Sequence, residues 1–586
     1  MKRVFIFLSI FQILSSSLSY CQEGHGGQPL SMQQAYAGEL SGQAYIPVVS
    51  YQAPDIAAMG KANSSNASIK LLRIGAVVRV DIDIIKTGTI TTLSNGQRIC
   101  RLKVNIADAP AIGLYYDKFS LCPGVRYYIS NANGRQLLGA YTSENNPPAN
   151  INEWANEKVQ GDIVNLEIDI DADVDITNIQ LHINGACVFY KSTEYLKKYE
   201  TSASNLRTTN YYPYNHSSPC EVNALCSSGF VNQRNATVHI EYLNAAHTLA
   251  YAATGTMINN TSGDCTPYVL TASHVEPTNS TLNSSFTGWI FYYNYQTSGC
   301  TTDPTQPALY SVTGAKFVAR SILTDTSANG KIAADFLLLK LYQNPPASYG
   351  AYLAGWDRND ALLPIFGTFV SFHHPDGDVK KVSTATSADP TGSFNGGATN
   401  SHWSINWSTG GTEEGSSGGP LFNSSGNEIG ILSGGYTQSP SCTTPNTDGK
   451  EIADHAQYSK FSFDWTYASA ATQQLKPWLD PTNSGATTLG GVSACAPTAV
   501  RNVSADNSIS IYPNPNNGTF YVAINNGQKI NIIEVYNSLG QTVYNVDIDL
   551  YATKYKIDFS NYSAGVYMLR IKAGEQLITR KFTIVK

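Results

Sequence analysis

The sequence predicts a mainly β fold divided among several domains, and three observations predict it. The chain has 586 residues, enough for roughly three or four domains. Apolar residues make up 42% and charged residues only 14%, with 36 Tyr and 47 Gly, which suits several β-rich cores and excludes a coiled coil or a disordered chain. Short β-rich runs recur, parted by turn signals such as Ser94-Asn95-Gly96 and Asn131-Ala132-Asn133-Gly134. The net charge is −6 and no long basic run occurs, so no nucleic-acid partner is expected.

The N-terminus carries an export pattern. Lys2-Arg3 precede the apolar run Val4 to Leu14, and small polar residues Ser15 to Ser19 follow, so residues 1–20 are expected to be a signal peptide. Cys21 raises the alternative of a lipoprotein, but Tyr20 stands where that site wants a small residue, and ordinary cleavage is expected. No later run of 18 apolar residues exists, so no transmembrane segment is expected. Residues 21–60 are rich in Gly, Gln, Ala and Ser and predict a low-complexity segment with little independent structure.

Residues 61–194 predict a β-sandwich of about 120 ordered residues. Its runs are Leu71 to Ile84, Arg101 to Ile106, Gly113 to Tyr116, Arg126 to Ile129 and Ile163 to Ile170. Residues 195–216 form a polar connector with Lys197-Lys198 and Arg207, natural sites of proteolytic processing, and cleavage is expected between Lys197 and Pro219. A large segment, 217–490, follows, then a polar linker over 491–508. Residues 509–586 predict a small β-sandwich, with Ile511-Tyr512-Pro513-Asn514-Pro515 near its start and Lys581-Phe582-Thr583-Ile584-Val585-Lys586 at its end.

The chemistry is concentrated in the large segment. Gly415-Ser416-Ser417-Gly418-Gly419-Pro420 suits a serine nucleophile: a tight turn presents the Ser417 hydroxyl, and the absence of Cβ atoms lets backbone N–H groups face a developing oxyanion. Upstream, Tyr268-Val269-Leu270-Thr271-Ala272-Ser273-His274 is an apolar strand pattern ending in a candidate base. Between them, Ala333-Ala334-Asp335-Phe336-Leu337-Leu338-Leu339 places an acid at the head of a buried run, a costly position unless a partner such as a histidine satisfies it. The order His274, Asp335, Ser417 is that of chymotrypsin, and the spacings of 61 and 82 residues allow different strands of two small barrels. His373-His374 does not predict a metal site, because adjacent side chains on a strand point to opposite faces; a loop or packing role is expected, and neither metal nor organic cofactor is required.

Residues 217 to about 490 resemble the bacterial lysyl endopeptidase branch of the trypsin-like serine proteases. The stretches CEVNALC from Cys220 to Cys226, YVLTASH, WIFYYNYQTSGC ending at Cys300, DFLLLKL, LAGWDRND, HHPDGDVKKVS, GGTEEGSSGGPLF and LKPWLDP occur in the family's order. The resemblance implies a chymotrypsin-like double β-barrel acting on protein or peptide substrates. In it Ser417 attacks the carbonyl, His274 moves the proton and Asp335 holds the imidazole. It implies an oxyanion hole at the Gly415 and Ser417 N–H groups and a substrate-pairing strand at Ser433-Gly434-Gly435. It implies disulfides Cys220–Cys442 and Cys226–Cys300. A third family bridge is missing: Val275 stands where relatives have Cys, and its partner near Ala253 is absent too. Cys265 and Cys495 are left over, either paired with each other or with Cys265 a buried thiol.

Specificity follows less directly. Trypsin's pocket carboxylate would fall at Gly411. Lysyl endopeptidases use an aspartate before a Q-Y or Y-Y pair; Gln457-Tyr458 is present, but Ala456 precedes it and Asp454 lies two residues earlier. Phe394 aligns with the family's pocket tryptophan and Ser433 with its histidine. Glu413 and Glu414 are expected on a solvated loop face. A preference for Lys or Arg through Asp454 and a non-basic preference both stay open, as does a catalytically silent trypsin-like module used for adhesion.

The flanking units carry their own resemblances. APAIGLYYDKF and LLGAYTSENN are similar to N-terminal prodomains of secreted proteases, implying a zymogen; an accessory binding domain is the alternative. Residues 509–586 resemble the small Ig-like sorting domain of the type IX secretion system of Bacteroidetes, implying recognition by secretion machinery and a secreted or surface-attached product. A carbohydrate-binding appendage is the other reading.

Overall fold

The computed structural model describes residues 24 and 26–55 without 41–44, residues 71–191, residues 216–494 without 302–309, 326–329, 362 and 438–451, and residues 509–585 without 525–529, 538–541, 551–553 and 574–575. The expected signal peptide, most of the connector, Cys442 and Cys495 lie outside the described residues.

Strands dominate, as the composition predicts. In the N-terminal sandwich one sheet runs in the order Val48–Tyr51, Arg98–Ile106, Ile163–Ile170, Val125–Asn131 and Leu137–Tyr141. Arg98–Ile106 shows why such a run makes a half-buried strand: Cys100, Leu102, Val104 and Ile106 alternate with polar residues and are fully buried. The facing sheet contains Leu72–Asp83, Gln180–Phe189 and Ala111–Ser120. Between them Tyr116, Phe119, Tyr127, Tyr141 and Trp154 pack as rings, with Phe119 stacked on Trp154 at 4.1 Å. The segment expected to lack independent structure joins this body. Leu30 is buried with its N–H on Asp169 Oδ2 at 2.9 Å, and Val48–Tyr51 pairs in parallel with Lys103 to Ile106.

The second sandwich sheet does not stop at the domain edge. Leu72–Asp83 pairs with Leu249–Ile258, so one 12-stranded sheet runs from the sandwich into the first barrel-like layer. That layer contains Thr237–Leu243, Leu249–Ile258, Tyr268–Thr271, Ile290–Tyr293, Ala315–Arg320 and Leu337–Leu341. Val275 and Ala253, at the positions of the missing disulfide, are both buried in its core, so apolar packing fills that space.

The second barrel closes on itself. Pro420–Phe422, Ile365–His373, Lys381–Gly392, His402–Asn406, His455–Lys460 and Glu428–Tyr436 pair in that order, and Glu428–Tyr436 pairs back onto Pro420–Phe422. Cys226 and Cys300 form the expected disulfide. Cys220 and Cys265 are also disulfide-bonded, with partners outside the described residues, so Cys265 is not a buried free thiol.

Residues 498–586 form a separate compact unit. Ile509–Tyr512, Thr519–Ile524 and Lys554–Asp558 make one sheet; Thr542–Leu550, Ile530–Tyr536, Gly565–Ala573 and Gln576–Ile584 make the other. Phe520, Val535, Leu569 and Phe582 fill the space between, giving the expected small sandwich.

Candidate active site

Sheet register brings the predicted base and acid together. Tyr268–Thr271 pairs antiparallel with Leu337–Leu341, with Thr271 opposite Leu337, so the chain just after one strand meets the chain just before the other. His274, in a short 3₁₀ turn, and Asp335 are both buried there. The Asp335 carboxylate takes the His274 backbone N–H on Oδ1 at 2.9 Å and meets Nδ1 with Oδ2 at 2.7 Å. Burial alone would raise the Asp335 pKa, but His274 and the Ser433 hydroxyl outweigh it and hold the carboxyl below its ordinary value.

The turn carrying Ser417, the expected nucleophile, is seated on the same strand end. Gly415 and Gly418 both have left-handed backbones, at φ 92° and 79°. A Cβ on Gly418 would lie 2.1 Å from Thr271 Oγ1, 2.4 Å from Thr254 O and 2.9 Å from Ala272 N, so only glycine lets this turn approach the segment leading to His274. Thr254 ties it down: its N–H reaches Ser417 O at 2.8 Å and its hydroxyl reaches Gly415 O at 2.9 Å. Ser416, Gly418 and Gly419 each give their N–H to a carbonyl, of Glu413, Leu432 and Ser416 respectively. Ser417 itself is half-buried.

The two adjacent histidines face different partners. His373 Nδ1 lies 2.8 Å from Ser416 Oγ and Nε2 lies 3.0 Å from Ser383 Oγ, holding the residue before Ser417. His374 packs on His239 and Tyr295, its Nδ1 on Asp378 O. Among the described residues no group of His, Cys, Asp and Glu is placed to hold a metal ion. Glu413 departs from the expected solvated face: it is half-buried and Oε1 accepts the Ser218 N–H at 2.7 Å, because residues 216–221 fold back against this loop.

Several supporting residues carry no motif. Arg320, fully buried, donates to Ser273 O at 2.9 Å, to Glu276 Oε2 at 2.6 Å and to Glu276 O at 2.6 Å, fixing both flanks of His274. A charge ending the apolar run Phe317-Val318-Ala319 is the same kind of signal that singles out Asp335. Ser459 accepts the Asp335 N–H at 3.0 Å and donates to Asp464 Oδ1 at 2.9 Å; burial pushes the Asp464 carboxyl far up. His402 Nε2 sits 3.1 Å from Ser433 Oγ, with its ring 6.0 Å from Phe394. An imidazole from two strands away, across His455–Lys460, thus reaches Ser433.

Residues 214–459 match the family described as lysyl endopeptidase, C-terminal domain. A lysyl endopeptidase of Pseudomonas aeruginosa is 25% identical over 364 residues, covering 60% of this chain and 71% of that protein. The chain is a serine endopeptidase, and residues 214–459 carry its similarity to the lysyl endopeptidases. Among solved structures it is similar to a Glu endopeptidase in complex with MPD, at TM-score 0.25 and 17% identity over 43% of this chain and 93% of that one. It is also similar to the active form of the Rv3671c protease from M. tuberculosis, at TM-score 0.24 and 15% identity over 40% and 80%. Residues 510–586 match the secretion system C-terminal sorting domain. The chain is therefore exported, to be secreted or held at the cell surface, with secretion machinery and peptide substrates as partners. No described helix is long and apolar enough to cross a membrane.

The residues expected to line the endopeptidase's specificity pocket pack as follows. A Cβ on Gly411 would meet Ile452 Cγ1 at 2.4 Å, so an apolar side chain occupies the space beside it. Gly435 lies against Ala453, Thr412 and the His455 carbonyl. Phe394 closes on Gly434, where a Cβ would meet the ring at 2.9 Å. Asp454 follows Ala453, is half-buried, and takes the Trp407 N–H on its backbone carbonyl at 3.0 Å.

Proposed function

We propose that Ser417, His274 and Asp335 form the catalytic triad of this exported endopeptidase. The doubly bonded Asp335–His274 pair, with the glycine-flanked Ser417 turn seated on the strand end that leads to it, carries this reading. Ser417 attacks the scissile carbonyl as His274 takes its proton and later gives it to the leaving amine. Asp335 keeps the imidazole in the tautomer with Nδ1–H and stabilises the imidazolium; it stays ionised. The N–H groups of Gly415 and Ser417 receive the oxyanion, and Ser433-Gly434-Gly435 pairs the substrate backbone. Thr254, bonded to the Ser417 and Gly415 carbonyls, holds the turn that would present those two N–H groups, which supports that role.

For specificity we propose cleavage after Lys or Arg, read by Asp454 from beside Ala453. Cleavage of a peptide library by the secreted enzyme tests it: basic residues should dominate before the cut, and Asp454→Ala should abolish that preference. Ile452 packed against Gly411, where the trypsin carboxylate would fall, favours a second reading, an uncharged apolar or polar residue before the cut. An unchanged library profile in Asp454→Ala would support that reading.

A further inference from the structure

The N-terminal sandwich and the peptidase share more than a connector. Ala76, Gly75, Arg73 and Leu72 pair with Leu249, Ala250, Tyr251 and Ala252. One buried apolar cluster takes Leu72, Ile74 and Tyr115 from the sandwich with Ala250, Tyr292 and Val379 from the peptidase. Two ion pairs cross the same junction. Lys158 meets Glu241, and Lys191 Nζ lies 2.8 Å from Asp376 Oδ1 with both side chains at most 2% exposed.

The second pair lies beneath the active-site loop. Asp376 also receives His216 Nδ1 at 3.0 Å on its other oxygen, and its backbone N–H donates to Glu414 O at 2.6 Å. A Cβ on Gly415 would meet His374 O at 2.7 Å, Gly377 N at 2.9 Å and Leu72 Cδ2 at 2.9 Å. The segment leading into Ser417 is thus propped by Asp376 and by a sandwich side chain. Releasing the sandwich would wet the apolar cluster and bare the edge of Leu249–Ile258. It would also take the lysines from two buried carboxylates, the costly way to break such pairs.

We propose that cutting the connector between Lys191 and His216 leaves the sandwich docked as a subunit of the mature peptidase, with Lys191 acting through Asp376 as a positioning residue for the Glu414–Ser417 loop. The inference rests on the triad reading, and it departs from the zymogen that the prodomain resemblance implies.

The test inserts a site-specific protease sequence within 192–215 of the full chain and cuts the purified protein there. The two fragments should co-elute on gel filtration and hydrolyse a peptide substrate at the uncut rate. Separate elution with full activity in the catalytic fragment would overturn the proposal, and so would an inactive co-eluting complex that gains activity when the sandwich is digested away. In the uncut chain, Lys191→Met should lower kcat on the order of tenfold or more with KM unchanged, and Lys191→Arg should restore it. An unchanged kcat in Lys191→Met would remove the positioning role. If Lys191→Met fails to fold, the co-elution experiment still decides the docking. Fluorophosphonate labelling of the uncut chain separates the two claims: its absence overturns the triad, while co-elution is read independently of it.

Discussion

Asp335 grips His274 twice with one carboxylate, through the backbone N–H at 2.9 Å and the ring Nδ1 at 2.7 Å. The first bond fixes where the residue sits and the second fixes how its ring is turned. With Nδ1 committed, Nε2 is the nitrogen left to receive a proton. Asp335→Asn keeps the size but offers an amide N–H where an acceptor is needed. Turnover should fall by a factor of about 10⁴ with secondary structure intact, measured as kcat on a peptide substrate beside the circular dichroism spectrum. A loss smaller than tenfold would mean that Asp335 does not orient the base.

Gly418 makes a sharper steric prediction. Gly418→Ala places a methyl group 2.1 Å from Thr271 Oγ1 and 2.4 Å from Thr254 O at a φ of 79°. Backbone cannot yield there cheaply, so the Ser417 turn should move off the His274 segment and activity should drop at least about 100-fold, since small misplacements at a reacting centre cost that much. Wild-type kinetics in this variant would show that the turn's close approach is dispensable.

Arg320 should matter for stability as well as activity. Arg320→Met strands Glu276 without its buried cation and frees the Ser273 carbonyl, costing about 3–5 kcal/mol in denaturant unfolding. A change below about 1 kcal/mol would mean that the pair is compensated by water or a neighbour.

Buried neutral histidines set the acid limit. Burial pushes His373 down to about 3 and His402 down to about 4, with Lys381 adding to the first and Lys460 to the second. An unfolded histidine titrates near about 6.5, so the unfolded chain binds protons that the folded chain refuses. Both folded values are depressed. The stability they provide is therefore complete above about pH 6.5 and is lost as pH falls toward 4 and 3, at up to ~1.4 kcal/mol per pH unit for each group. Urea unfolding between pH 7 and 4 should steepen accordingly, and His402→Gln should flatten the slope by about one proton. Parallel curves for the two proteins would contradict a neutral, buried His402.

The fold and the candidate site were legible wherever a local rule applied. Asp335 stands out because a charge opening a Leu-rich run needs a partner, and His274 because it ends a strand pattern. Ser417 stands out because the glycines around it make sense only for a tight turn. Alternation in Arg98–Ile106 marks a sandwich strand without any tertiary knowledge. What escaped was set by distant register. The union of sandwich and barrel depends on pairing Ala76 with Leu249, across more than a hundred residues, and nothing local announces it. The start of ordered chain was placed near residue 61, but Val48–Tyr51 is held by backbone bonds to Arg98–Ile106, which a Gly- and Ser-rich composition hides. His402 and Ser459 reach the site from strands whose own sequences look unremarkable.

The central claim is that Ser417 is a nucleophile activated by the His274–Asp335 pair, and covalent labelling tests it most directly. Secreted protein treated with a fluorophosphonate should gain a single adduct, mapped by peptide mass spectrometry to the segment containing Ser417 and abolished by Ser417→Ala. No adduct, or one that persists in Ser417→Ala, would contradict the account.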